Sequence, residues 1–333
     1  MLGEQKYIKV SVIMCTFNGE EYICSQLDSI LNQTYPIHEL LIQDDCSTDK
    51  TFSILEEYHK KNPFIRIFRN FEQKGINKNF FSAMEKATGD YIAISDQDDI
   101  WELDKIEKQI NSIGDNWLST GFSQPFSTNS ELLEFDKRIP NLKAERLIHV
   151  ASAVPGHTIL MKRDLLSYLI CENYSFILYD QLLSIIASSF NKISFCESVL
   201  VKHREHIASA TYTLPVMQRN GNNRNLVNIL KSIYRTFFLY VELRRKIRMY
   251  FGEMYLLLRG LPEVSSKKYA EQIALWHSKK GIKAYLSLTL LCIRRRKYLF
   301  HVIESNNFFT FLRALYFPIS CSDYFRYMSK RYK

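Results

Sequence analysis

The chain reads as an α/β protein, a mostly parallel sheet with helices on both faces, followed by a basic helical region. Two patterns predict this. Strand-like and helix-like segments alternate through the first hundred residues, as parallel strands joined by crossover helices require. Charge then divides the chain. Residues 215–333 carry 23 Lys and Arg against 6 Asp and Glu, whereas residues 1–214 carry 21 against 29. An acidic globular domain over 1–214 and a basic region over 215–333 are expected. Pro215 and the polar stretch Gln218–Asn225 mark the border near Leu214.

The elements follow in order. Val10–Thr16 alternates and is rich in Val and Ile, so it predicts a strand. Asn18-Gly19-Glu20-Glu21 has the form of a capping box for a helix bearing Ile23, Leu27, Ile30 and Leu31, which stops before Pro36. Glu39–Gln43 is a second strand, and Ser47 or Asp49 opens a helix with Phe52, Leu55 and Tyr58 on one face. Phe64–Phe68, Asn77–Ala87 and Tyr91–Ser95 continue as strand, helix and strand, with Gly89 as the helix stop.

Composition excludes several classes. With 333 residues, 46% hydrophobic and 14% aromatic, the chain can bury enough apolar surface to offset its entropy, so dominant disorder is excluded. No segment reaches the roughly 18 apolar residues of a bilayer span. The first apolar run, Val10–Phe17, is short and follows Lys6 and Lys9, so cytosolic retention is expected. Seven cysteines form no CxxC pair, which argues for free thiols over a disulfide framework or zinc knuckle.

Three polar clusters follow three predicted strands directly: Thr16-Phe17-Asn18, Asp44-Asp45-Cys46-Ser47 and Asp96-Gln97-Asp98-Asp99. In a parallel sheet all three lie along one rim, where such sheets bind ligands. Asn18, Ser47 and Asp49 read equally well as helix caps, and Asp44-Asp45 as a turn. The run Asp96–Asp99 differs. Three carboxylates within four residues at a buried strand end are costly without a cation. Such oxygen ligands suit Mg²⁺ or Mn²⁺ shared with substrate phosphates.

These motifs resemble the family 2 glycosyltransferases with the GT-A fold. The resemblance rests on VSVIMCTFN at 10–18, Asp44-Asp45-x-Ser47-x-Asp49 and Ser95-Asp96-Gln97-Asp98-Asp99-Ile100-Trp101, and covers about residues 8–210. The stretch from Gly75 to Trp101 is similar to members that build bacterial surface polysaccharides, rhamnosyltransferase-like ones among them. The resemblance implies that Thr16, Asn18 and Glu21 line the nucleotide pocket. Asp44 and Asp45 would read the base edge and ribose. Asp98 and Asp96 would hold the metal, Asp96 also touching ribose, with Asp99 near the donor sugar.

Further along, Val154–Thr158, with Gly156 and His157, matches the loop under the acceptor, and Trp101 is placed on the acceptor side, although on residue type alone core packing is favoured over sugar stacking for it. Tyr179-Asp180-Gln181 matches the catalytic-base position, and Arg204-x-His206 a loop closing over the diphosphate. His203 stands where family members often have Tyr. The implied function is inverting transfer of a sugar, from dTDP-rhamnose or a UDP-sugar, to a hydroxyl of a lipid-linked surface polysaccharide. On residues alone, Asp180 is also a plausible helix-start cap.

Two other functions are open to a chain of this pattern. A nucleotidyltransferase would show a glycine-rich, basic phosphate loop after the first strand, but Thr16–Glu21 has one glycine and no base. A non-catalytic polybasic membrane scaffold would not need the intact carboxylate set. In the second half, breakers are few apart from Gly260, Pro262 and Pro318. The apolar stretch Ala284–Ile293 lies between Lys279-Lys280 and Arg294–Lys297. It suits a helix on the cytoplasmic membrane surface, a helix packed on the first domain, or a bundle with solvated charges. No nucleic-acid module is recognised.

Overall fold

The computed structural model describes residues 7–127, 129–149, 154–169, 174–206, 226–305 and 307–331. The expected border at Leu214 and the linker Gln218–Asn225 lie outside the described residues.

The first half is β1 (Val10–Thr16), α1 (Ile23–Leu31), β2 (Glu39–Asp44), α2 (Thr51–Lys61), β3 (Ile65–Arg69), α3 (Ile76–Met84) and β4 (Tyr91–Ser95). Then come β5 (Ile100–Trp101), α4 (Lys105–Ile113), β6 (Leu118–Ser127), α5 (Ala144–Leu147), β7 (Leu160–Lys162), α6 (Tyr179–Ser189) and β8 (Ile193–Glu205). One sheet runs in the order β3-β2-β1-β4-β7-β6-β8-β5. Strands β3, β2, β1 and β4 are parallel, and β7 then pairs antiparallel with both β4 and β6.

Helices cover both faces because the central strands are apolar on both sides. From β1, Val10, Val12 and Met14 pack with Ile23, Leu27 and Ile30 of α1 and Leu55 of α2. Ile13, between them, packs the other way, with Phe80, Ala83 and Met84 of α3. Alternation sends successive side chains to opposite faces, and uninterrupted apolarity is what a doubly covered parallel strand needs.

The capping box is not formed. α1 begins at Ile23 after Tyr22, with no side-chain cap. Asn18 instead adopts φ 47° and accepts a hydrogen bond from Thr48 N at 2.9 Å, and Glu20 accepts one from Lys50 N at 2.8 Å. Asn18 is thus taken by the next loop of the rim, and Glu21, its expected partner in the box, is exposed.

The second half is helical: α7 (Leu226–Gly260), α8 (Lys268–Ser278), α9 (Ile282–Arg295) and α10 (Phe308–Arg331). It shares a core with the first half. Leu243, Ile247, Tyr250, Phe251 and Met254 of α7 join Ile148, Leu182 and Leu183 in one buried cluster. Asn141 donates to the carbonyls of Tyr298 and Phe300, and Glu145 is paired with Arg295. Burying a Leu- or Phe-sized side chain is worth about 1.5–3 kcal/mol, so this contact is a substantial part of the fold.

Candidate active site

Adjacency of β2, β1 and β4 brings the three polar clusters to one rim. The loops are tied to one another there. Thr16 Oγ1 donates to Asp44 Oδ1 at 2.9 Å. Gln97 exchanges two hydrogen bonds with the Phe17 backbone, at 2.9 and 3.0 Å. Gly19 permits this, because a Cβ there would collide with the Gln97 amide.

Asp44 and Asp45 serve the protein itself. Asp44, fully buried, accepts from Thr16, from Ser47 N and from Ser47 Oγ, and Arg69 lies 3.6 Å away. Asp45 accepts from Asn70, Lys74 N and Gly75 N at 2.7–2.9 Å. Both carboxylates brace the rim loops. Glu21 is exposed at the mouth.

The carboxylates after β4 are matched with imidazoles. His157 Nδ1 lies 3.2 Å from Asp96 Oδ2 and 3.3 Å from Asp99 Oδ2. Its Nε2 is 2.8 Å from Ser123 Oγ. His203 Nδ1 is 2.9 Å from the other Asp99 oxygen, and His206 Nε2 is 2.8 Å from Asp98 Oδ2. The rings of His157 and His203 stack at 4.8 Å. Burial opposes charge on His203, but the hydrogen bond to Asp99 and the neighbouring carboxylates lift it to about 9. Asp99, despite its burial, is held below the usual carboxylate range by His157, His203 and the Arg204 amide. Asp98 is raised by burial and by its two neighbouring carboxylates, with His206 opposing.

Arg204 is placed differently from the expectation of a free cation at the diphosphate. Its guanidinium sits between the rings of Tyr22, at 4.6 Å, and Phe126, at 4.5 Å, and its Nε donates to the Asp98 carbonyl. It fixes the backbone of the acidic run.

Asp180 stands in the first turn of α6, and its Oδ1 accepts the Gln181 amide at 2.8 Å. Asn77 positions this turn, accepting from Tyr179 N and donating to the Ile177 carbonyl, both at 2.8 Å. Tyr179 stacks on Phe80 at 3.9 Å. A Cβ on Gly156 would overlap the Tyr179 hydroxyl, so Gly156 has a packing reason. Burial pushes Asp180 up to about 7, and the charge of Asp96 adds to the shift. A carboxyl tuned near neutrality and within reach of another site's field has the character of a general base.

Trp101 is a correction. It is 2% exposed and packs in the core with Ile106 and Val201, while Lys105 Nζ lies 4.0 Å over its ring. It is unavailable to an acceptor. The large apolar ring of a residue paired into the sheet edge goes inward.

Ser123, Asn77, Gln97 and Tyr22 escaped sequence reasoning. They lie far in sequence from the groups they hold, and no local spacing points to them. His203 was visible only as a departure from the family pattern, and it proves to hold Asp99.

The residues fit a divalent cation. Among the described residues, Asp99, His157 and His203 each offer a ligand atom, all within 4.8 Å of one another. Asp99 Oδ2 is buried without a hydrogen-bond partner, as expected of an atom awaiting a ligand. This grouping takes Asp99 with two histidines, where the sequence pointed to Asp98 and Asp96.

Residues 11–169, just under half of the chain, match the model of glycosyl transferase family 2. Particular relatives sharpen the likeness. The chain is 42% identical over 101 residues to TuaG of Bacillus subtilis, named for teichuronic acid biosynthesis, covering 30% of this chain and 40% of that one. It is 39% identical over 111 residues to the Escherichia coli UDP-Glc:alpha-D-GlcNAc-diphosphoundecaprenol beta-1,3-glucosyltransferase WfgD, covering 33% and 44%. It is 40% identical over 105 residues to the Shigella flexneri dTDP-rhamnosyl transferase RfbG, covering 30% and 36%. The chain thus spans about two fifths of the length of these curated relatives. In three dimensions it resembles S. aureus TarS 1–349, with TM-score 0.54 and 15% identity over 97% of this chain and 91% of that one. The fold is GT-A.

Proposed function

We propose that the protein is an inverting glycosyltransferase that moves a sugar from a nucleoside-diphosphate donor to a hydroxyl of a lipid-linked surface glycan. The observation that carries this is the Asp96–Asp99 rim with its histidines, combined with Asp180 raised towards neutrality beside it. Relatives named for UDP-glucose and dTDP-rhamnose transfer support a UDP- or dTDP-sugar donor.

In this reading Thr16, Asn18 and Glu21 flank the nucleotide, Asp45 and Asp44 hold the loops that shape its pocket, and Asp96 faces the ribose and diphosphate. Asp98, Asp99, His157 and His203 would hold Mn²⁺ or Mg²⁺, with the imidazoles favouring Mn²⁺. When bound, the cation offsets charge gathering on the leaving diphosphate. The acceptor hydroxyl gives its proton to Asp180 as its oxygen bonds to the anomeric carbon. The bond from that carbon to the diphosphate oxygen breaks, and the nucleoside diphosphate leaves. One displacement inverts the centre. His206, just past the end of β8, closes the diphosphate side, Arg204 fixes the backbone of the acidic run, and Gly156 and His157 line the acceptor side.

The second half would hold the enzyme on the cytoplasmic membrane surface. No helix of the described residues is long and apolar enough to cross a membrane. Three helices instead expose apolar stripes at helical spacing: Tyr234, Phe237, Phe238 and Val241 on α7; Ile282, Leu286 and Leu290 on α9; and Phe308, Phe309, Leu312 and Leu315 on α10. α10 packs against both α7 and α9. Apolar stripes on a region of net positive charge suit an anionic lipid surface.

The test is nucleotide release from UDP-, dTDP- and GDP-sugars by purified protein with Mn²⁺ or Mg²⁺. Turnover of one donor that stops with chelator is expected. Indifference to chelator, or no release from any donor with a prenyl-diphosphate glycan supplied, contradicts the proposal.

A further inference from the structure

A cavity adjoins the carboxylate rim at Ser123. It has a volume of about 300 Å³ and is lined by β6, the segment leading to α5, and His301 of the second half. One wall is aromatic: Phe122 meets Phe195 edge-on at 4.8 Å and Phe135 at 5.8 Å. The polar lining holds Arg138, Arg146, His301 and the Asp136 carboxylate, which takes up the Arg138 guanidinium.

Arg146 is the group the fold leaves without a counter-charge. It is half-buried, its guanidinium reaches only the Leu299 carbonyl at 3.4 Å, and among the described residues it has no ion pair. The nearby carboxylates are already taken: Glu145 by Arg295, Glu304 by Arg313, and Asp136 by Arg138. Burial first, and then the charge of Arg313, depress Arg146 to about 10. A half-buried guanidinium without an anion costs free energy that a ligand anion would recover.

The cavity also touches the reaction rim. Ser123 and Pro155 belong to its lining. Ser123 hydrogen-bonds His157 Nε2, whose Nδ1 faces Asp96 and Asp99. One imidazole therefore separates the two sites.

We infer that this cavity binds a sugar phosphate, with the pyranose face on the phenylalanines and the phosphate on the fork of Arg146. A lining of two characters calls for a ligand of two characters, and the volume exceeds what phosphate alone fills. The planar guanidinium suits a phosphate oxygen pair. That this is the phosphate end of the acceptor rests on the glycosyltransferase reading; the binding of a sugar phosphate does not.

The experiment is calorimetric titration of the full chain, without donor, using glucose 1-phosphate, glucose and inorganic phosphate as probes. Glucose 1-phosphate should bind more tightly than either fragment. Arg146→Gln should weaken it at least about tenfold, since charge-assisted hydrogen bonds are the strong ones, while UDP affinity stays unchanged. Arg138→Gln, a change at an exposed residue that frees the Asp136 carboxylate in the lining, should weaken it less and serves if Arg146→Gln does not fold. Competition by a short-chain prenyl-diphosphate sugar identifies the acceptor as the source; without competition, the occupant is a free sugar phosphate. Binding indifferent to both substitutions, or equal loss of UDP and glucose 1-phosphate affinity, overturns the proposal. A protein that binds glucose 1-phosphate through Arg146 yet transfers no sugar would refute the transferase reading and leave the cavity assignment standing.

Discussion

His203 carries the electrostatic balance of the rim. Its partner Asp99 is fully buried, and removing one member of a buried pair strands the other charge. In chelator, His203→Gln should destabilise the chain by about 3 kcal/mol in urea. The sign with pH follows from its raised value. Folded His203 titrates at about 9 against an ordinary 6.5, so its contribution is complete below pH 6.5 and lost as pH rises towards 9. The wild-type stability should fall across that window, and His203→Gln should flatten the fall. An unchanged slope would show that the ring is not charged there. Asp180 predicts the opposite limb for the reaction. A base at about 7 is protonated in acid, so kcat/KM should rise with pH up to near neutrality. A rate flat from pH 5 to 8 would remove Asp180 as the titrating base.

At the scale of elements, the approach to α6 matters most. Gly156 lies against the Tyr179 hydroxyl, and Asn77 clamps both ends of the preceding turn. Gly156→Ala forces Tyr179 aside and should cost about 1–3 kcal/mol, the usual range for overpacking. Because Asp180 follows Tyr179, kcat should fall while donor affinity holds. Unaltered stability and kcat would mean the turn absorbs the methyl group.

Strands were legible at this scale because β1, β2 and β4 announce themselves by apolar runs rich in Val, Ile and Leu ending in polar clusters. Helix starts were not. Asn18 and Glu21 look like a capping box for α1, yet Asn18 binds Thr48 thirty residues away and α1 starts without a side-chain cap. The chemistry of the rim was legible as carboxylates, but not as carboxylates paired with His157 and His203, since the pairing is made by the sheet order. Trp101 is placed on the acceptor side only by the family motif; its residue type already favours core packing, and its burial agrees.

For the whole molecule, the two halves read as separate by charge, but their shared core joins them. Tyr250 of α7 donates to the Ile148 carbonyl at 3.0 Å, and its hydroxyl accepts from Gln181, the neighbour of Asp180. The second half therefore props the helix that carries Asp180. A chain ending at Leu214 would expose the cluster around Leu182 and Leu183, and it should unfold non-cooperatively and bind a hydrophobic dye. A stable, cooperative 1–214 fragment would contradict that role. The same helices should bring the full chain down with vesicles rich in phosphatidylglycerol, but not with phosphatidylcholine, and high salt should weaken the binding. Equal binding to both lipids would remove the electrostatic part of the membrane proposal.

The most direct measurement is nucleotide release from the preferred donor by Asp180→Asn, with Mn²⁺ and acceptor present, alongside donor binding by the same variant. Loss of a general base costs about 10²–10⁴ in rate, so turnover should fall within that range while donor affinity is retained. A variant that turns over like the wild type would contradict the account.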